Sequence, residues 1–137
     1  MLARSARWGT VTDYTQTADS TVSLTVQIET TQGVHNVEEI IATDGVDALF
    51  VGPADLAAQM GYPDNSSHAE VVAAVDHVVS VAVAAGIPVG VNAFSPRDAD
   101  RVLDAGADFV VTSADVLLIA QGAKEQVARI RARDSRS

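Results

Sequence analysis

Short apolar runs alternate with longer amphipathic stretches along this chain, and the pattern predicts four β-α units. Four apolar runs have the length of a strand: Ser23–Ile28, Asp47–Gly52, Ile87–Asn92 and Ala107–Ser113. A segment with the apolar spacing of a helix follows each run, and the connections are short. Strands that alternate with helices in this way build a parallel sheet, so the predicted fold class is α/β.

Capping and turn residues delimit the predicted helices. The four helices cover residues 31–45, Ser67–Gly86, Ser95–Gly106 and, roughly, Asp115–Arg131. Ser67 and Glu70 match a capping box. Ser95 and Pro96 provide an N-cap and a proline at the first helical position. Glycines close the first three helices, as is common at helix C-termini.

The segment Met1–Ser20 is polar and irregular, and Trp8 and Tyr14 are the large side chains expected to anchor it. Its pattern predicts neither a long helix nor a strand. It also lacks the apolar stretch of a signal peptide.

Composition narrows the class of protein. The chain has 137 residues, 47% of them hydrophobic, which predicts a single folded domain over residues 1–137. No apolar run reaches the length of a membrane span, and without cysteine there is no disulfide or thiolate metal site. The net charge of −9 argues against binding to nucleic acid or to an anionic membrane. We expect a cytoplasmic protein.

Candidate chemistry lies where the predicted strands end, because ligands of parallel α/β folds bind at the carboxyl ends of the strands. The polar or turn residues at these ends are Gln27, Glu29, Gly52, Pro53, Asp55, Asn92, Thr112, Ser113 and Asp115. Two carboxylates, those of Glu29 and Asp55, follow consecutive strands. A pair of carboxylates suits a hard cation such as Mg²⁺ or Mn²⁺.

Each acid also has a purely structural interpretation. Glu29 precedes a helix, where acids are favoured by the helix dipole. Asp55 suits the N-cap of a short turn. Neither a G-x-G-x-x-G nor a P-loop motif is present in the chain, so nothing favours a dinucleotide or nucleoside triphosphate.

The stretch VQIETTQGVHNVEEIIATDGVDALFVGPADLAAQMGYP resembles the HpcH/HpaI family of class II, metal-dependent pyruvate aldolases. Members of that family carry QIE at one strand end and GPADL at a later one, with the same intervening length. The resemblance extends through RSARWG near the start and GADFVV near the end, and so covers nearly the whole chain.

The resemblance implies roles for particular residues. Glu29 and Asp55 would ligate a divalent metal (Mg, Mn or Co), and Gln27 would lie in the substrate pocket. The backbone of Pro53 and Ala54 would contact the carboxylate of pyruvate. A metal of this kind acts as a Lewis acid and a template, so no Schiff-base lysine is required. The only lysine, Lys124, falls on the last predicted helix.

The resemblance also implies the fold, the reaction and the partners. The family fold is a (β/α)8 barrel, and its members form hexamers in which a helix is exchanged between subunits. A homo-oligomer is therefore expected. The reaction is the reversible cleavage of a 4-hydroxy-2-oxo acid to pyruvate and an aldehyde, so the partners are a small 2-oxo acid and an aldehyde.

This chain departs from the family in one large respect: its four units match only the second half of the barrel. The histidine base and the substrate-binding arginine of the family belong to the first half, so no catalytic residue is identified here. We expect His35, His68 and His77 to be solvated helix residues, and Arg4 and Arg7 to lie in a surface or subunit-contact loop. The isolated chain is accordingly expected to be inactive.

A half barrel leaves backbone edges and barrel-facing side chains uncovered. The chain is therefore expected to be a fragment, or a subunit that pairs with another half. Two alternatives to an aldolase stay open. One is a citrate-lyase-like enzyme of the same superfamily that acts on an acyl-CoA. The other is a non-catalytic half barrel that serves as an interaction protein.

Overall fold

The computed structural model of the chain describes residues 4–134 and confirms four parallel β-α units. The strands are Thr25–Ile28 (β1), Ala48–Val51 (β2), Val89–Asn92 (β3) and Phe109–Val111 (β4). The α-helices are Tyr14–Thr17 (α1), Thr31–His35 (α2), Val37–Ile41 (α3), Pro53–Gln59 (α4), Ala69–Ala85 (α5), Pro96–Asp104 (α6) and Asp115–Asp134 (α7). Two short 3-10 turns, Arg7–Gly9 and Ala18–Ser20, flank α1.

The four strands form one sheet in the order β1-β2-β3-β4, and each strand pairs in parallel with the next along the chain. One row across the sheet is Gln27, Phe50, Gly90 and Phe109; the next row is Ile28, Val51, Val91 and Val110. Because side chains alternate along a strand, these two rows point to opposite faces of the sheet. Over residues 4–134, β1 and β4 are the outer strands.

The hydrophobic core lies on the face that contains the row from Ile28 to Val110. Helix α5 covers it, because its valines repeat at helical spacing and are buried against the sheet. The core residues of the strands and of the two largest contributing helices are Ile28, Leu49, Val51, Val75, Val78, Val79, Ala82, Val89, Val91, Ala99 and Val102. Helices therefore cover this face of the sheet.

The opposite face of the sheet, which we call the open face, remains accessible. Gln27 and Phe109 are exposed and Phe50 is half-buried. The rings of Phe50 and Phe109 stack with their centroids 6.0 Å apart. They span Gly90 on the strand between them, where the absence of a side chain leaves room for the Phe109 ring.

Three helix boundaries differ from those expected. The predicted helix over residues 31–45 is two short helices that meet at Asn36, and the second ends at Ile41, ahead of Gly45. The capping box at Ser67 does not form. The N-cap of α5 is His68, whose Nδ1 accepts from the Glu70 backbone N–H at 3.3 Å. The His68 imidazole also stacks on the Tyr62 ring, with the two ring centroids 3.6 Å apart.

The other predicted caps are confirmed. Ser95 Oγ accepts from the Asp98 backbone N–H at 3.1 Å, and Pro96 is the first residue of α6. Gly86 ends α5 with a φ of +70°, a conformation that glycine adopts without strain.

The two ends of the described chain are loosely packed. Trp8 is 68% exposed, so the prediction that it anchors the N-terminal segment is wrong; the buried residue there is Ala6. Helix α7 exposes a series of large apolar side chains: Val116, Leu117, Leu118, Ile119, Val127 and Ile130. Of the helices between residues 4 and 134, none combines the length and the hydropathy that crossing a membrane requires.

Candidate active site

Gln27 and Glu29 form a hydrogen-bonded pair at the end of β1. The Gln27 side-chain Nε2 donates to Glu29 Oε2 at 2.5 Å. Glu29 does not cap the following helix, because Thr30 takes that position and its Oγ1 accepts from the Gly33 backbone N–H at 3.0 Å. The Glu29 carboxylate is half-buried and is held by the amide of its neighbour on the same strand.

Gly52 brings the end of β2 against this pair. Its backbone N–H donates to the Ile28 carbonyl at 3.1 Å. A Cβ at position 52 would lie 3.0 Å from Gln27 Nε2 and 3.4 Å from Glu29 Oε2, a separation tighter than most side chains tolerate. A glycine at this position therefore permits the close approach of the Gly-Pro turn to the glutamate.

Asp55 lies on the segment that leaves this turn. Helix α4 begins at Pro53, and Gly52 is its N-cap. Asp55 is exposed in the first turn of α4, so the alternative that it is the N-cap of a short turn is wrong. The structure thus places Glu29 and Asp55 just beyond the carboxyl ends of two adjacent, paired strands.

Two neighbouring cavities open beside α4. The first, of about 390 Å³, contains Pro53 and Ala54, the two residues predicted to contact the substrate carboxylate. The second, of about 360 Å³, contains Ala54 and Asp55. Gln27 and Glu29 line neither cavity, and Gly52 separates them from α4. Ala54 lines both cavities.

Asn92 is a site residue to which the sequence assigned no role beyond its place at a strand end. It is the last residue of β3 and lines the first cavity together with Pro53 and Ala54. Its side-chain Oδ1 is buried and has no hydrogen-bond partner among the described residues. A polar residue that ends an otherwise apolar strand was the available sequence signal.

The histidines lie away from this edge of the sheet. His35 and His77 are exposed on helices, as predicted. His68 is half-buried and is the N-cap of α5 rather than a residue within the helix. Hydrogen bonding to Glu70 raises the pKa of the adjacent Tyr62 phenol above its usual value of 10.0, with further contributions from burial and from the glutamate charge.

The two carboxylates at this edge of the sheet carry the kind of oxygen ligand that hard divalent cations prefer. Within residues 4–134 no group of three or more histidine, cysteine or acidic side chains could enclose a metal. Two carboxylates with open surroundings suit Mg²⁺, which keeps several waters and binds substrate oxygens. Glu29 and Asp55 would be the protein ligands, and Gln27 would orient the first of them.

Comparison with known proteins identifies the family. The family model described as HpcH/HpaI aldolase/citrate lyase matches residues 5–122. The chain belongs to the HpcH/HpaI aldolase/citrate lyase family. It is 42% identical over 134 residues to the hydroxypyruvate/pyruvate aldolase of Cupriavidus necator, covering 98% of this chain and 50% of that relative.

Other relatives agree with this assignment. The chain is 40% identical over 131 residues to the 4-hydroxy-2-oxo-heptane-1,7-dioate aldolase of Salmonella paratyphi B, across 96% of this chain and 50% of that protein. The crystal structure of an HpcH/HpaI family protein from Burkholderia cenocepacia J2315 matches with a TM-score of 0.88 and 38% identity. That match covers 95% of this chain and 51% of the other.

The HpcH/HpaI chain described here thus spans about half the length of the curated relatives it matches. The predicted fold, four units of a TIM-barrel-like architecture, is confirmed by the structural match.

Proposed function

We propose that this chain supplies the metal- and pyruvate-binding half of an aldolase that cleaves 4-hydroxy-2-oxo acids to a pyruvate-type 2-oxo acid and an aldehyde. Relatives that are at least 40% identical are named aldolases, and three of them are named for hydroxypyruvate as well as pyruvate. The observation that carries the proposal is the Gln27–Glu29 pair packed against Gly52, one turn before Asp55.

Each residue has a task that its position supports. Glu29 and Asp55 would hold the cation from adjacent strand ends, and the Gln27 amide would fix the orientation of the Glu29 carboxylate. The Ala54 backbone N–H is in the first turn of α4, where amides lack partners within the helix. It can therefore donate to the carboxylate of a 2-oxo acid.

When bound, a divalent cation supplies Lewis-acid stabilisation of negative charge on the keto oxygen of the 2-oxo acid. The chain contributes binding and orientation around that oxygen. No histidine of the described residues lies at this edge of the sheet, so the group that moves the proton belongs to the other half of the barrel in this proposal. Bound to its metal, the chain alone would hold a 2-oxo acid without turning it over.

The two alternatives are less well supported. An acyl-CoA lyase needs a basic entrance for the nucleotide end of its substrate. Arg101 is the only basic residue lining the 390 Å³ cavity, and it is paired with Asp76 on α5. A non-catalytic half barrel has no need of a glutamine that fixes a strand-end glutamate.

The proposal is tested by restoring the missing half. The chain is co-expressed with the N-terminal half of the Cupriavidus necator relative, and pyruvate release from a 4-hydroxy-2-oxo acid is followed with a lactate-dehydrogenase-coupled assay. We expect turnover that disappears with EDTA and in Glu29→Gln, while Glu39→Gln, an exposed acid on α3, retains it. Turnover that resists EDTA, or that survives Glu29→Gln, contradicts the proposal.

A further inference from the structure

The junction between α4 and α5 contains two competing caps for the same helix. In the structure, His68 is the N-cap of α5, and its Nδ1 accepts from the Glu70 backbone N–H at 3.3 Å. One residue earlier, Ser67 lies three positions before Glu70, which is the spacing of a capping box. The sequence thus provides a second way to begin α5, one residue closer to the N-terminus.

The observed cap joins both ends of the loop between the two helices. The Tyr62 backbone N–H donates to the Ala57 carbonyl of α4 at 2.8 Å, so Tyr62 is fixed to α4. The His68 imidazole stacks on the Tyr62 ring, and Glu70 is hydrogen-bonded to the Tyr62 phenol. The Glu70 side chain is therefore engaged at Tyr62 and does not complete the capping box with Ser67.

The two caps exclude each other because they require different backbones at His68. Its φ of −60° and ψ of 139° are those of an extended residue that precedes a helix. In a helix capped by Ser67, His68 would be the first helical residue and would need a helical ψ. Its side chain would then leave both the Glu70 N–H and the Tyr62 ring. The start of α5 is accordingly a two-state element.

The charge of the imidazole distinguishes the two states. The His68 Nδ1 can accept a hydrogen bond only while it holds a free electron pair, so the observed cap requires the neutral ring. A proton on Nδ1 would make it a donor that faces another donor, and a positive charge is unfavourable at a helix N-terminus. Histidine changes its charge between about pH 5 and 8, whereas the hydroxyl of a serine cap does not titrate.

Three acids lie on the segments that meet at this junction. Glu70 is in the first turn of α5, Asp64 is in the loop, and Asp55 is in the first turn of α4. Their negative charges favour the protonated imidazole whichever residue caps the helix. They therefore influence the pH at which His68 is protonated, and the hydrogen-bonding requirement of Nδ1 decides which cap forms.

We propose that protonation of His68 moves the start of α5 by one residue, from the His68 cap to the Ser67 capping box, and separates the imidazole from Tyr62. Ser66 and Ser67 line the 390 Å³ cavity together with Ala54, so the change alters one wall of that cavity. The switch is independent of the proposed function, because it is measured on the chain without metal or substrate.

Chemical shifts on the full chain test the switch between about pH 8 and 5.5. The His68 Cα shift should move toward its helical value with the same midpoint as the titration of the His68 ring, and the Tyr62 ring signals should move with it. His68→Asn retains a capping oxygen that does not titrate, so its residue-68 Cα shift should stay constant. His77→Gln, which removes an exposed histidine of the same helix, should leave the transition unchanged.

Thermal unfolding of two variants provides a second readout. Ser67→Ala should have a Tm near that of the wild type at about pH 8 and a Tm roughly 3 °C lower at about pH 5.5, as expected for loss of a cap. His68→Ala should show the reverse, with the larger decrease at the higher pH. This crossing pattern requires that each residue caps α5 in a different charge state of His68.

Several outcomes would overturn the switch. One is a His68 Cα shift that stays extended, or moves toward an unstructured value, while the ring titrates. Another is a transition that persists in His68→Asn. A Ser67→Ala effect on Tm that is the same at both pH values would also overturn it, because Ser67 would then have no role that depends on protonation.

Discussion

The Phe109 ring covers Gly90 so closely that a Cβ at position 90 would lie 2.2 Å from its Cε2 and Cζ atoms. The contact joins neighbouring strands in register and lets Phe109 reach Phe50 on the strand beyond. The open face of the sheet therefore has an aromatic bridge across its centre. The absence of a side chain at Gly90 leaves room for the two stacked rings.

A double-mutant cycle tests this bridge. Gly90→Ala should displace the Phe109 ring from its stack and lower the free energy of unfolding by about 1 kcal/mol, the magnitude of an aromatic pair. In a Phe109→Ala background the same substitution should have an effect near zero, because the obstructing ring is absent. Urea denaturation measures the effect of Gly90→Ala on the free energy of unfolding in each background. Equal effects of Gly90→Ala in the two backgrounds would show that the ring contact is unimportant.

Metal binding should depend on three residues to different degrees. Glu29→Gln and Asp55→Asn each remove a ligand charge and should abolish measurable Mn²⁺ binding in a calorimetric titration. Gln27→Ala should weaken it by roughly tenfold, the usual effect of losing the partner that orients a ligand. Glu39→Gln serves as the control and should bind as the wild type does. Normal Mn²⁺ binding by Asp55→Asn would show that Asp55 is not a metal ligand.

Helix capping distinguishes two serines that look alike in the sequence. Ser95→Ala removes the N-cap of α6 and should lower the free energy of unfolding by about 1 kcal/mol. Ser67→Ala should have an effect below about 0.5 kcal/mol, since His68 caps α5 instead. Thermal unfolding of both variants, with His68→Ala for comparison, decides the assignment. A large decrease in the stability of Ser67→Ala would show instead that Ser67 caps α5, as the predicted capping box requires.

The open face should make the isolated chain associate. Exposed apolar surface and unpaired outer strands favour contact between molecules. Phe109→Lys on the open face should reduce the association seen by light scattering. Leu103→Lys is the matched control, because Leu103 is 43% exposed on α6 and Phe109 is 41% exposed. A monomeric wild-type chain at high concentration would contradict the prediction.

Alkaline pH should weaken the α4–α5 connection through Tyr62. The folded state raises the pKa of this phenol, chiefly by hydrogen bonding to Glu70, so it favours the neutral form. The stabilisation is complete below the unfolded pKa of 10.0 and is lost as pH rises through the higher folded pKa. In a Tyr14→Phe background, the tyrosinate absorbance should titrate at lower pH after Glu70→Gln. An unchanged titration would exclude Glu70 as the cause.

Local patterns were sufficient to predict the four strands and the Ser95 cap, because the residues concerned are neighbours in sequence. They were not sufficient for the His68 cap, which depends on a stack with Tyr62 that only the folded loop creates. The division of a predicted helix at Asn36 was missed for a different reason, because its apolar spacing continues across the break.

The candidate site, too, could be predicted only in part from local sequence. Glu29 and Asp55 could be chosen from sequence because each follows an apolar run closely. The nearness of Gly52 to the Gln27–Glu29 pair required the strand register. It is a contact between strands, and no periodicity within one strand encodes it.

The sequential order of the strands has a consequence for how this chain acquires its structure. Every strand pairs with the one made just before it, so no contact in the sheet waits for a distant segment. Each parallel pairing closes one crossover, a loop that runs through a single β-α unit, before it forms. The chain can thus add one β-α unit at a time as it leaves the ribosome. The paired strand ends that precede Glu29 and Asp55 are in place once the second unit is complete, before the last helix has been synthesised.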